Sequence, residues 1–160
     1  LLNIVYNQSP SVVIILDNST TAMTGGQDHP GTGATLSGQP GRKVDLEALC
    51  RGAGVEHVTV FEPSDLKATE AAIREALASD GPAVLIARRP CVLITREHGA
   101  PRVIDEALCV QCGACLRLGC PAIAARLLDD GSRQPLIDAS LCMGCTLCAQ
   151  TCPKGAIIPA

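Results

Sequence analysis

Ten cysteines stand in 160 residues, and eight of them fall in two runs between Cys109 and Cys152. The first run is Cys109-x2-Cys112-x2-Cys115-x4-Cys120-Pro121, and the second is Cys142-x2-Cys145-x2-Cys148-x3-Cys152-Pro153. Around them the chain repeats itself at an offset of 33 residues. Val103-Ile104-Asp105 and Leu108-Cys109 match Leu136-Ile137-Asp138 and Leu141-Cys142, as a duplicated half-module does. The opening residues show no charged-then-apolar leader, so a disulfide framework is disfavoured and metal ligation is the better explanation.

Three thiolates separated by two residues each can wrap one corner of a [4Fe–4S] cube and ligate three of its irons. The fourth cysteine is then carried off by the next turn, where proline stops the segment from folding back as helix. The runs resemble those of bacterial ferredoxins, in which the fourth cysteine ligates the other cluster of a pair. That resemblance implies one cluster on Cys109, Cys112, Cys115 and Cys152, and a second on Cys142, Cys145, Cys148 and Cys120. The first run departs from the simple pattern, with four residues, Leu116-Arg117-Leu118-Gly119, in place of three. Gly119 is expected to absorb the extra residue as a bulge, because glycine tolerates positive φ. Were Cys120 to miss its place, the second cluster would be a three-iron form or take a different ligand. The competing metal is zinc, which prefers cysteine pairs and four ligands per ion; two triplets each followed by Cys-Pro suit cubes better.

Residues 1–95 have a different grammar, and cysteine is scarce in them. Val12-Val13-Ile14-Ile15-Leu16 is a continuous apolar run, the pattern of a strand buried on both faces. Asp45 is placed to cap a helix whose apolar face holds Leu46, Leu49 and Cys50 and which Gly52 and Gly54 stop. His57 to Phe61 reads as a second strand. Ser64 or Asp65 then caps a helix with Leu66, Ile73 and Leu77 on one face and a Glu70–Arg74 pair on the other. Ala83 to Ala87 forms a third strand after Gly81-Pro82, and Val92-Leu93-Ile94 a short strand or exit segment. Strands separated by helices of this length imply right-handed crossovers in a parallel sheet. Residues 96–100 read as a linker, and 101–160 as a small α+β ferredoxin-like domain for two [4Fe–4S] clusters.

Asn18 follows directly on the first strand, and in open α/β sheets ligands bind beyond the carboxyl ends of strands. From the residues alone, Asp17 to Gln27 reads rather as a polar turn entering a loop. The stretch Leu16-Asp17-Asn18-x-x-Thr21-Ala22-Met23-Thr24-Gly25-x-Gln27-x-His29-Pro30-Gly31 resembles the thiamine-diphosphate domain of the 2-oxoacid:ferredoxin oxidoreductases. The likeness extends through Arg88-Arg89-Pro90-Cys91 to Leu116-Arg117-Leu118-Gly119-Cys120-Pro121, and is nearest to the large subunit of the indolepyruvate type. It implies an N-terminally truncated α/β thiamine-diphosphate-binding domain over 1–95. By the same likeness Asn18 would ligate Mg²⁺ through its side-chain oxygen and Thr20 through its backbone carbonyl, chemistry that suits a hard ion. The family motif opens with Gly-Asp, which would lie upstream of Leu1. The chain begins Leu-Leu-Asn, and an upstream portion is expected.

The resemblance further implies a cytoplasmic enzyme that decarboxylates an aryl 2-oxo acid, transfers the acyl group to coenzyme A and passes electrons to ferredoxin, with a smaller beta subunit. The rival assignments are another 2-oxoacid:ferredoxin oxidoreductase subunit and a non-catalytic electron carrier whose α/β half is a docking scaffold. The charge of the last 60 residues is balanced, five of each sign, and no basic surface points to nucleic acid. No apolar stretch is longer than Val12 to Leu16, which is too short to span a membrane. Gly31-Thr32-Gly33 lacks the third glycine of a dinucleotide fingerprint, with Leu36 in its place. The loop over Gly25 to Gly33 is either an active-site loop or an ordinary surface one. Cys50 and Cys91 are expected to be small buried hydrophobes, His29 a solvated loop residue, and Arg88 and Arg89 a solvated charged pair.

Overall fold

The computed structural model describes residues 1–96, 98–129 and 131–160. The chain divides into two compact units, Leu1–Arg96 and Glu97–Ala160. Within the sequence linker 96–100, Glu97 lies outside the described residues.

In the first unit a short helix α1 (Leu2–Tyr6) precedes β1 (Val12–Asp17), and α2 (Leu46–Gly52), β2 (His57–Phe61), α3 (Leu66–Leu77) and β3 (Ala83–Arg88) follow. The three strands form a parallel sheet in the order β1-β3-β2. Asp45 caps α2 by accepting from the Glu47 and Ala48 amides at 2.9 and 3.1 Å, and Asp65 caps α3 from Ala68 at 3.0 Å. Each such cap stabilises its helix by about 1 kcal/mol. The Glu70–Arg74 pair forms on the outer face of α3 at 2.7 Å.

β3 is central and its apolar residues are buried on both faces. Val84 and Ile86 pack with Cys50, Val55 and Val58, whereas Ala83 and Leu85 pack with Ala72 and Ala76. β1 is an edge strand, which corrects the expectation of burial on both faces. Val13 and Ile15 join the core on the α2 side, but Ile14 and Leu16 are 52% and 76% exposed, because α3 covers β2 and β3 and stops short of β1. Two helix faces also differ from expectation. α3 buries Ala72 and Ala76 and leaves Leu77 out, and α2 buries Cys50 and leaves Leu49 out. Small side chains let each helix approach the sheet closely, and the larger leucines fall at the rims. Val92–Thr95 is a helical turn, α4, rather than a strand, and Arg96 ends it at φ 52°.

The second unit is built from the repeat. β4 (Arg102–Ile104) pairs antiparallel with β7 (Ile157–Pro159), and β5 (Ile123–Leu127) pairs antiparallel with β6 (Arg133–Ile137). Equivalent cysteines lie in the two helical pieces, Cys115 at the start of a 3₁₀ turn (Cys115–Leu118) and Cys148 in α5 (Leu147–Thr151). The repeat extends to single hydrogen bonds: Asp105 N donates to Ala156 O and Asp138 N to Ala122 O, both at 2.8 Å. Cys115, Cys148 and Ile157 are the buried centre, with Ile104 and Ile137 against them. In so small a unit the cysteines are themselves the core.

Candidate metal and cofactor sites

Each cysteine run is shaped by a pair of left-handed residues. Gln111 and Gly113 lie at φ 53° and 71°, and their repeat mates Gly144 and Thr146 at 67° and 68°. The middle cysteines, Cys112 and Cys145, therefore sit between two reversals of backbone hand. Gln111 and Thr146 carry side chains where such φ values are disfavoured, Thr146 most of all because it is β-branched. Alternation of hand turns successive amides to one side, the concave arrangement that receives anionic groups, iron–sulfur sites among them. Gly119 takes φ 63°, the conformation its place in the longer first run calls for.

Cys109, Cys112, Cys115 and Cys152 line one small cavity, together with Ile104 and Pro135. Three of these cysteines come from the first run and the fourth from the second. Ala156 N donates to Cys152 Sγ at 3.3 Å, and Arg102 N to Cys142 Sγ at 3.3 Å. Burial pushes the Cys115 thiol up, and the nearness of Cys109 and Cys112 pushes it the same way. Cys148 is raised by burial first and then by Cys145 and Cys142, which marks those three as neighbours. Cys120 is half-buried at the turn entering β5. Among the described residues no three Cys, His, Asp or Glu side chains converge as a single ion requires. The donor set, two triplets of thiols each with a fourth cysteine before proline, fits an iron–sulfur cube.

One spacer is covered and the other open. Gly99 N donates to Met143 O at 3.2 Å, and a Cβ on Gly144 would fall 2.5 Å from Gly99 O. The chain entering β4 thus lies tight over the second run, and only glycine permits it. In the first run Val110 and Cys112 are exposed.

In the first unit, β1 ends at Asp17, which is buried and accepts from Arg88 Nε at 2.8 Å. Arg89 N donates to Asp17 O and Cys91 N to Asn18 O, so the end of β3 is fastened to the residues that leave β1. Ser19 at φ 61° folds the chain back, and Asn18 Oδ1 accepts from Thr20 N at 3.2 Å. Asn18 and Thr20 are thereby brought side by side, and Thr20 is buried. Their oxygens are the kind a hard ion accepts, and an amide oxygen with one bond made keeps a lone pair for it.

An open cleft lies at these strand ends, lined by Asp17, Gly31, Lys43 and Arg88 among others. Lys43 is far from the motif in sequence, and no local pattern marks it as a lining residue. Arg88 and Arg89 are not a solvated pair, since Arg88 holds Asp17 and Arg89 contacts Glu62 and Ser64. His29 is half-buried, and its Nδ1 accepts from Gly31 N at 3.0 Å. The loop is held internally, with Thr32 N on His29 O at 2.8 Å and Val44 N on Pro30 O at 2.9 Å. Cys50 is buried as expected, but Cys91 is only half-buried and begins α4.

Residues 1–87 match the family described as thiamine pyrophosphate enzyme, C-terminal TPP binding domain, and residues 102–156 match the 4Fe-4S dicluster domain. Indolepyruvate oxidoreductase subunit IorA of Archaeoglobus fulgidus is 42% identical over 168 residues, covering 100% of this chain and 26% of that protein. The subunit of the same name from Methanothermobacter marburgensis is 42% identical over 161 residues, 99% of this chain and 25% of that protein. Its counterpart from Pyrococcus horikoshii is 38% identical over 164 residues, covering 98% of this chain and 25% of that protein. The chain spans about a quarter of the length of these relatives.

Proposed function

Since this chain belongs to the thiamine pyrophosphate enzyme family and carries a 4Fe-4S dicluster domain behind that region, we propose that it serves in a 2-oxoacid:ferredoxin oxidoreductase of the indolepyruvate type. The reaction takes an aryl 2-oxo acid and coenzyme A to acyl-CoA, CO₂ and a proton, and reduces two one-electron ferredoxin centres. The observation that carries it is the cavity walled by three cysteines of one run and Cys152 of the other, in a chain whose remainder is a thiamine domain. A thiamine site that oxidises its substrate calls for an acceptor, and iron–sulfur clusters take electrons singly.

Thiamine diphosphate supplies the electron sink for decarboxylation when bound, and the protein supplies binding and orientation. Asn18 Oδ1 and the Thr20 carbonyl would hold Mg²⁺ on its phosphates, and the Asp17–Arg88 pair keeps that turn at the sheet edge. Cys109, Cys112, Cys115 and Cys152 would hold one cluster, and Cys142, Cys145, Cys148 and Cys120 the other, by the equivalence of the two halves. Ten free cysteines suit a reducing compartment, in keeping with the cytoplasm. Among the described residues no helix is long and apolar enough to cross a membrane. The relatives are named as subunits, which supports a partner chain.

The test is anaerobic dye reduction by the intact protein with its partner subunit, coenzyme A and a panel of 2-oxo acids. Indolepyruvate-dependent reduction with acyl-CoA formation is expected. Clusters that load fully while no 2-oxo acid drives reduction would make the protein an electron carrier instead.

A further inference from the structure

The 33-residue repeat makes Arg102 and Pro135 equivalent positions, each just ahead of the pair (Val103-Ile104, Leu136-Ile137) that enters the core. They differ in every property that matters to a neighbouring sulfur. Arg102 donates its backbone N–H to Cys142 Sγ at 3.3 Å. Pro135, buried on the wall of the cavity that holds Cys109, has no N–H to give the equivalent sulfur.

The Arg102 side chain adds a second difference. Its Nε is buried and has no hydrogen-bond partner among the described residues. A buried donor left unsatisfied is costly, and more so on a charged group, so it marks the place of an acceptor. Alternation along β4 puts Arg102 on the face of Ile104, which packs against the buried Cys115 and Cys148. The Nε–H is therefore enclosed on the core face of β4, next to the backbone N–H that reaches Cys142 Sγ.

We propose that Arg102 Nε–H donates to a sulfur of the cluster held by Cys142, Cys145 and Cys148, and that this cationic bond makes that cluster the more readily reduced of the two. The proposal rests on the two-cluster assignment above. One-electron reduction adds negative charge to the cluster, and a fixed cation with its N–H on sulfur favours that state, more strongly in a dry interior than in water. The Cys109 cavity has a neutral N–H on sulfur, from Ala156 to Cys152, which balances the Arg102 backbone bond. Its one cation, among the cavity's lining residues, is Lys154, which is exposed and screened. The net asymmetry is the guanidinium.

An EPR-monitored redox titration of the anaerobically reconstituted intact protein tests this, with Cys145→Ser identifying which signal belongs to the Cys142 cluster. Arg102→Leu should shift that cluster's one-electron equilibrium toward the oxidised form about tenfold, roughly 59 mV, and leave the Cys109 cluster unmoved. Arg102→Lys keeps the charge without the Nε donor and should fall between. An unshifted potential in the Leu variant, or an equal shift in both clusters, overturns the proposal. If the Leu variant takes up less iron, the Lys variant decides: full iron with the native potential overturns it. A native protein that binds no iron would instead sink the cluster assignment itself.

Discussion

Arg88 Nε reaches the buried carboxylate of Asp17 at 2.8 Å, joining two residues 71 positions apart at the ends of β1 and β3. The Asp17 side chain is 4% exposed and that of Arg88 45%, so the pair lies between a buried and a surface ion pair. Removing the guanidinium leaves a buried charge without its partner. Arg88→Met should therefore lower stability by about 2 kcal/mol, between the 3–5 of a buried pair and the 0.2–1 of an exposed one. Denaturant titration checks it; a loss below about 0.5 kcal/mol would mean that water already serves Asp17.

Asn18 has two duties, the turn to Thr20 and the assigned Mg²⁺ contact. Asn18→Ala in the intact protein should weaken Mg²⁺-dependent thiamine diphosphate binding roughly 10- to 100-fold, the worth of a hydrogen bond to a charged group. Calorimetry with the cofactor measures this. Native affinity in a folded variant would remove Asn18 from the site.

Cys120 and Cys152 are the two fourth cysteines, and only Cys152 shares the described cavity with the first triplet. Cys120→Ser is expected to alter the Cys142 cluster and spare the Cys109 cluster, by iron content and EPR of the reduced protein. Damage confined to the Cys109 cluster would mean that ligands are not exchanged between the halves.

Glu62 shows how acid should loosen the end of β2. Partial burial alone would raise its pKa, but hydrogen bonds from Ser64 Oγ and N, and the Arg89 guanidinium, outweigh it and hold the carboxyl below its ordinary value of 4.5. A depressed folded pKa contributes stability that is present above the unfolded pKa and is lost as pH falls through the folded one. The stability gap between native protein and Glu62→Gln should be full near pH 7 and close below about pH 4.5. A gap independent of pH across that range would contradict the pairing.

The sheet was legible because β2 and β3 are short apolar runs between helix caps and glycine stops; the structure returns His57–Phe61 unchanged. The edge position of β1 was not. An apolar run announces burial without saying how many neighbours supply it, and Ile14 and Leu16 have few here. Leu49 and Leu77 depart from expectation for a related reason: periodicity finds a helix face, while closeness to the sheet selects Cys50, Ala72 and Ala76 on it. The cysteine spacing announced a metal site, yet the left-handed Gln111 and Thr146 were invisible, since neither residue type signals positive φ. Arg102 gave no sign either, because residue type carries neither the bond from its backbone to Cys142 Sγ nor the burial of its Nε.

The wall that Cys152 lends to the first cavity has a bearing on how the protein is made. Cys152 follows Cys115 by 37 residues, so a ribosome adds it well after the first triplet is complete. A nascent chain holding Cys109, Cys112 and Cys115 has only three sides of that cavity, however long translation pauses. On the proposed cluster assignment, the fourth ligand exists only once the second run is made, and a chain cut short between the runs would keep the first triplet's thiols open to oxygen.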